Sequence, residues 1–291
     1  MAGKREKQEN KLRLPGAVMM LAAVAVLLSM GGPQSAAVNS PAKAGEPEGL
    51  PVVEPVEVTV VSAAEEPEET LWAGPVPESP PVEDTYFDDV VFLGDSRTEG
   101  LRLYSGLQHG TFLSFTGATV ESVFSKAVET PVGEMPLLDA LAELEPGKLY
   151  IMLGINELGW NGTEIFRAQS AKLIQRVRED HPETEIVIQS ILPVSGAVDA
   201  EGRYVNNGRI EAYNQVWREL AEELDVAYLN VAEAVADESG LLPDELCYDG
   251  VHLNKAGCRM WLDYLRTHAV GEAGEGSPAE SAEGEVSAAE G

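Results

Sequence analysis

Between about residues 85 and 268, two periodicities alternate along the chain, and this alternation restricts the fold more than any other feature. Short apolar runs take turns with longer stretches whose apolar residues recur every three or four positions. Val90-Val91-Phe92-Leu93 is the first run and ends in Gly94. Thr111 to Phe115, Leu149 to Leu153, Ile186 to Ile188 and Val226 to Leu229 follow it. Continuous apolar runs of this length, bounded by turn residues, suit strands buried on both faces. Between them Phe166, Leu173, Ile174 and Val177 share one helical face, which His181-Pro182 ends. Ile210, Tyr213, Trp217, Leu220 and Leu224 share a second, and Met260, Trp261, Tyr264 and Leu265 a third. Strands alternating with helices predict an α/β fold: a three-layer α/β/α sandwich around a five-stranded parallel sheet. Ligands of such sheets bind at the carboxyl ends of the strands.

The flanks have a different composition. Residues 1–13 carry five Lys/Arg against two Glu, 31–84 carry eleven acids against Lys43, and 269–291 carry six Glu and no base. Of the net charge of −29, this leaves −16 on the stretch between. A surface of that sign repels phosphate backbones, which argues against nucleic acid as a partner. Residues 14–30 are uncharged and apolar and follow the basic segment Lys4, Arg5, Lys7, Lys11 and Arg13. They read either as a transmembrane anchor, at the lower edge of the length needed, or as a signal peptide with a cleavage site at Ser35-Ala36-Ala37. The basic flank keeps residues 1–13 cytoplasmic, so both readings place the rest of the chain outside the cytoplasmic membrane. Residues 31–84 hold ten of the eighteen prolines and read as a disordered Pro/Glu-rich linker, with a weak strand pattern at Val56 to Val61. Residues 269–291 read as a disordered acidic tail, which leaves 85–268 as the folded domain. The two cysteines, Cys247 and Cys258, suit either a disulfide or two free thiols.

Polar clusters stand where the expected strands end. Gly94-Asp95-Ser96-Arg97 follows the first strand, Gly117 the second and Gly154-Ile155-Asn156-Glu157 the third, while Asp249-Gly250-Val251-His252 precedes the last helix. Singly, each has an ordinary structural reading, such as a helix cap or an Asp-Gly turn. Together, and in this order, they resemble the SGNH/GDSL hydrolase superfamily over about residues 88–268. Ser96, Gly117, Asn156 and His252 correspond to its four characters. Many members read Gly-Asp-Ser-Leu in the first block, where this chain has Arg97 in fourth place. The resemblance implies a flavodoxin-like sheet and a serine esterase with Ser96, Asp249 and His252 as its catalytic residues. It also implies an oxyanion hole from Ser96, Gly117 and Asn156.

The chemistry of the residues points the same way. A serine hydroxyl attacks only once a base takes its proton. Of the four histidines only His252 has a carboxylate, Asp249, three residues before it on a short loop. The backbone N–H groups of Ser96 and Gly117 and the amide of Asn156 are donors suited to a developing oxyanion. Thr98 stands where the Gly-x-Ser-x-Gly elbow of α/β-hydrolases needs its second glycine, which argues against that fold. Asp95 is expected either to brace the nucleophile loop or simply to start a helix. Arg97, Glu157 and Trp160 are candidates to line the substrate pocket, and Trp160, Asn161, Tyr204 and Tyr248 could form a polar-aromatic cleft suited to sugars. No residue set has zinc-like spacing, no phosphate loop is present, and the chemistry requires no cofactor. The expected function is an exported esterase acting on small acyl groups, above all O-acetyl groups on a cell-envelope or extracellular glycan. Its partners would be that acylated small molecule or glycan and the membrane, through the N-terminal helix. Lipase-like or lysophospholipase activity, acyl transfer to a sugar and a non-catalytic surface module are the alternatives.

Overall fold

All five apolar runs form strands of one parallel sheet. A computed structural model describes residues 74–271. The 14–30 leader, the Val56 to Val61 run, most of the linker and nearly all of the acidic tail lie outside the described residues. In chain order the elements are β1 (Val90–Gly94), α1 (Ser96–Tyr104), β2 (Thr111–Ser114), β3 (Val128–Thr130), β4 (Gly133–Met135), α2 (Leu137–Ala142), β5 (Lys148–Met152), α3 (Glu164–Asp180), β6 (Glu185–Gln189), α4 (Gly196–Ala200), α5 (Asn207–Glu223), β7 (Ala227–Leu229) and α6 (Lys255–Thr267). The main sheet runs β2-β1-β5-β6-β7, every neighbouring pair parallel, and β3-β4 form a separate antiparallel hairpin. With the hairpin set aside, the five sheet strands have the doubly wound order 2-1-3-4-5 of flavodoxin-like folds. The order reverses beside β1, which is where such sheets open a crevice.

Alternation along the strands feeds two cores. Val91, Leu93, Leu149, Ile151, Ile186, Ile188 and Tyr228 pack on the face covered by α2, α3 and α5. Phe92, Tyr150, Met152, Val187, Ala227 and Leu229 point the other way, toward Leu101 of α1 and Trp261 and Leu265 of α6. Both faces are covered, which is why the strands are apolar throughout. α3 stops at His181, whose Nε2 lies 3.1 Å from the Leu141 carbonyl oxygen, and Pro182 follows it. α6 differs from expectation in one residue. Met260 is exposed; Trp261, Tyr264 and Leu265 are buried as expected, and Cys258 and Leu262 join them to complete the helical i, i+3, i+4, i+7 set of 258, 261, 262 and 265. Trp261 also donates from Nε1 to Gln189 Oε1 at 2.9 Å, fastening α6 to the end of β6.

The folded domain is longer than 85–268 at both ends. The last residues of the expected linker lie against it. Val76 is buried, and the N–H groups of Val76, Ser79 and Val82 donate to the carbonyls of Tyr228, Thr267 and Arg266. At the other end Ala269 and Val270 are buried, and the Val270 N–H donates to Tyr86 Oη at 2.9 Å. Carbonyls and amides at the sheet and helix ends offer these segments ready partners, which composition alone does not reveal. Cys247 and Cys258 are both free thiols. Among the described residues no helix is long and apolar enough to cross a membrane.

Candidate active site

The site is built first from the β1–α1 junction. Gly94 ends β1 where α1 folds back hard against it. A Cβ there would fall 2.0 Å from Thr98 Oγ1 and 2.7 Å from the Met152 carbonyl oxygen, so only glycine fits. Asp95 caps the helix, its Oδ1 accepting from the Arg97 N–H at 2.8 Å, and is fully buried. It is thus both the brace and the helix start that the sequence allows. Burial pushes its carboxyl up to about 6, against the lowering pull of the Arg97 guanidinium and N–H. Ser96, the first residue of α1, therefore has an N–H with no acceptor inside the helix, at the positive end of the helix dipole.

Ser96 Oγ lies 2.9 Å from His252 Nε2, and His252 Nδ1 lies 2.8 Å from Asp249 Oδ2. An ionised carboxylate only accepts, so Nδ1 carries the hydrogen and Nε2 is left to accept from the serine hydroxyl. The other Asp249 oxygen accepts from the N–H groups of Val251 at 3.0 Å and His252 at 2.8 Å, folding the loop around the carboxylate. Burial raises this carboxyl, but these N–H bonds and the imidazole outweigh it and hold it below the usual range. From outside, the Ser195 N–H holds the Gly250 carbonyl at 2.8 Å. The other three imidazoles are committed elsewhere: His109 to Asp88, His181 to Leu141 and His268 stacked on Tyr264.

Gly94 stands beside Ser114 of β2 and Met152 of β5, so the loops carrying Ser96, Gly117 and Asn156 leave adjacent strand ends. Gly117 sits in a turn closed by the Ala118 N–H on the Phe115 carbonyl at 3.1 Å, and its φ of +83° is one that glycine adopts without strain. No atom lies within 4 Å of where its Cβ would be, so the side facing away from the backbone is open. Asn156 donates from Nδ2 to the Ala118 carbonyl at 2.8 Å. Its second amide hydrogen remains to donate elsewhere.

Two expected pocket residues prove to be interior. Arg97 is 3% exposed and Glu157 is 0% exposed. Arg97 reaches inward because α1 begins against the sheet, and its Nη1 donates to the Leu192 carbonyl at 2.7 Å. Glu157 turns beneath its own loop, where Oε1 accepts from the Val120 N–H at 2.7 Å. Trp160 is half-buried against the core beneath α3 and α5. Tyr204 packs over Gly159, whereas Tyr248 packs edge-on against Tyr104 of α1 with ring centres 5.7 Å apart. Tyr248 thus pairs with α1, while Tyr204 lies against the Gly159 backbone. A groove of about 720 Å³ lies alongside α1 and β2, lined in part by Glu99, Arg102, His109, Phe112, Ser114 and Glu129.

A serine, an imidazole and a carboxylate joined at the switch point of a doubly wound sheet place the chain among α/β acyl hydrolases. The family is narrower than that class. The chain belongs to the GDSL-like lipase/acylhydrolase family, which matches it over residues 92–260. Several solved structures are similar to it. An acetyl xylan esterase is 17% identical with a TM-score of 0.50, covering 62% of this chain and 99% of its own. A protein described as a platelet activating factor of Streptococcus pneumonia is 27% identical with a TM-score of 0.49, over 61% of this chain and 81% of its own. A GDSL-like lipase of Bacteroides thetaiotaomicron is 16% identical with a TM-score of 0.46, over 65% and 88%. At these identities the acetyl xylan esterase speaks to the fold alone. No curated protein matches the chain significantly.

Proposed function

We propose that the chain is an exported serine esterase that removes small acyl groups, O-acetyl above all, from a cell-envelope or extracellular glycan. One observation carries the chemistry: Ser96 Oγ, both His252 nitrogens and Asp249 Oδ2 lie in one hydrogen-bonded series. His252 Nε2 takes the Ser96 proton as Oγ bonds to the acyl carbon, and the carbonyl electron pair moves onto oxygen. The N–H groups of Ser96 and Gly117 and the free Asn156 amide hydrogen receive that oxyanion. Collapse of the adduct breaks the bond to the alcohol, whose oxygen takes the proton back from His252. Water then repeats the sequence on the acyl-Ser96, while Asp249 stabilises each imidazolium.

The preference for a small acyl group on a bulky polar alcohol is supported by exposure. The His252 and Asp249 side chains are 42% and 55% exposed, so the reacting serine meets its ester at the surface. Such a site suits a group projecting from a polymer better than a fatty chain needing a deep apolar channel. Export rests on the apolar run at 14–30 behind its basic flank. Protease added to intact cells should degrade the domain from outside, and full protection would refute that location.

The test of the chemistry is turnover of p-nitrophenyl acetate by the full chain and by Ser96→Ala. The substitution should cost more than about 10³-fold in kcat, and p-nitrophenyl palmitate should be a far poorer substrate than the acetate. Equal rates for the two proteins would remove Ser96 from the reaction. A preference for palmitate would replace the small-acyl reading with a lipase.

A further inference from the structure

Glu157 is a buried acid for which the reaction above has no use. Burial drives its carboxyl up to about 8, with the Asp95 carboxylate adding to the rise and backbone N–H groups opposing it. The protonated form is therefore favoured near neutral pH, and of its two oxygens only Oε1 has a partner. Its bond is informative. Oε1 takes the N–H of Val120, three residues past Gly117, while the neighbouring Asn156 donates to Ala118, one residue past Gly117.

The loops carrying Gly117 and Asn156 are thus joined twice, at different points and with opposite polarity. A single bond would be a pivot, but two fix both the separation and the rotation of the loops. The anchor is firm on its own side. The Glu157 carbonyl accepts from Tyr213 Oη of α5 at 2.8 Å and from the Trp160 N–H at 2.8 Å, and Trp217 Nε1 of α5 donates to the Leu153 carbonyl at 3.0 Å. An apolar side chain of similar size would fill the same space, yet it would leave the Val120 N–H without this partner.

We propose that Glu157 is a positioning residue whose carboxyl oxygen, by holding the Val120 N–H, sets the placement of Gly117 relative to Asn156. The inference rests on the reading of those two residues as oxyanion donors. Donors that act on the transition state alone lower kcat when displaced and leave KM nearly unchanged. A residue that merely supported the fold would also lower apparent kcat at constant KM, through the folded fraction, so kcat is counted per folded molecule, by near-UV circular dichroism well below each variant's Tm.

The test is steady-state hydrolysis of p-nitrophenyl acetate by the full chain and its Glu157→Gln, Glu157→Asp and Glu157→Ala variants. Gln keeps the accepting oxygen and should retain kcat within about threefold. Ala removes it and should lose about 10–100-fold in kcat with KM within about threefold, short of the about 10²–10³ expected for a donor removed outright. Asp withdraws the oxygen by one methylene, keeps a buried acid and should fall between the two. Asp also supplies the comparison if Ala fails to fold. Wild-type kcat in Ala or Asp, a loss confined to KM, or Gln failing as badly as Ala would each overturn the role. A wild-type chain that does not turn over the ester at all refutes the esterase reading, and the inference falls with it.

Discussion

In the proposed triad, Asp249 departs from the general Ser-His-Asp arrangement in one respect, the exposure of its carboxylate. In that arrangement the aspartate is buried, and its replacement by asparagine costs about 10⁴ in kcat. Here more than half of the side chain is exposed, so water screens its interaction with His252 and can stand in for part of it. Asp249→Asn is therefore expected to cost less, about 10²–10³ in kcat for p-nitrophenyl acetate. The amide cannot escape by turning over, because Oδ1 is held by the N–H groups of Val251 and His252, which leaves Nδ2 facing the imidazole. Asp249→Ala loses those loop bonds as well and should be the worse of the two. Asn activity equal to wild type would take Asp249 out of the chemistry. The contact between Asp249 and His252 was legible in the sequence because three residues around a glycine can place a carboxylate against an imidazole locally. Arg97 and Glu157 were not. Charged residues default to the surface, and only the approach of other segments shows these two to be interior.

Elements differ in how plainly the sequence announces them. The five sheet strands are apolar because both faces are covered, and that requirement is written in consecutive residues. The β3-β4 hairpin has three residues per strand, none fully buried, and so no periodicity to detect. α2 and α4 span six and five residues, less than two turns, and leave too few positions for a helical stripe. The β1–α1 junction lies between these cases: Gly94-Asp95-Ser96 is recognisable as a motif, but the reason for its glycine is tertiary. Gly94→Ala would place a methyl against both Thr98 and the Met152 carbonyl. Overpacking of this kind costs about 1–3 kcal/mol and should shift Ser96 relative to His252. Adding Thr98→Ala should relieve only part of the loss, since the Met152 backbone stays in place. Full recovery of Tm and kcat in the double variant would show that the side chain, and not the neighbouring strand, sets the constraint.

For the whole molecule, the buried acids determine how stability follows pH. Asp95 and Glu157 have carboxyls raised by burial to about 6 and about 8, above their unfolded values near 4. Between those limits the unfolded chain has released protons that the folded chain still holds, so stability falls as pH rises. Their contribution is complete below about pH 4 and is lost as pH climbs through 6 and then 8. Asp249 acts in the opposite sense, but only below the ordinary carboxylate range, because its carboxyl is lowered. Surface carboxylates are already ionised above about pH 6, so the large negative charge of −29 changes little between pH 6 and 8. Asp95 completes its release at the lower end of that range, which leaves Glu157 to carry most of the change above it. Tm should accordingly drop by about 5–10 °C from pH 6 to pH 8. Glu157→Gln, which keeps the accepting oxygen but cannot ionise, should flatten most of that slope, from a Tm at pH 6 lowered by the amide hydrogens it sets at the unpartnered Oε2 position. An unaltered slope in the variant would mean that the buried Glu157 carboxyl is not the group that titrates.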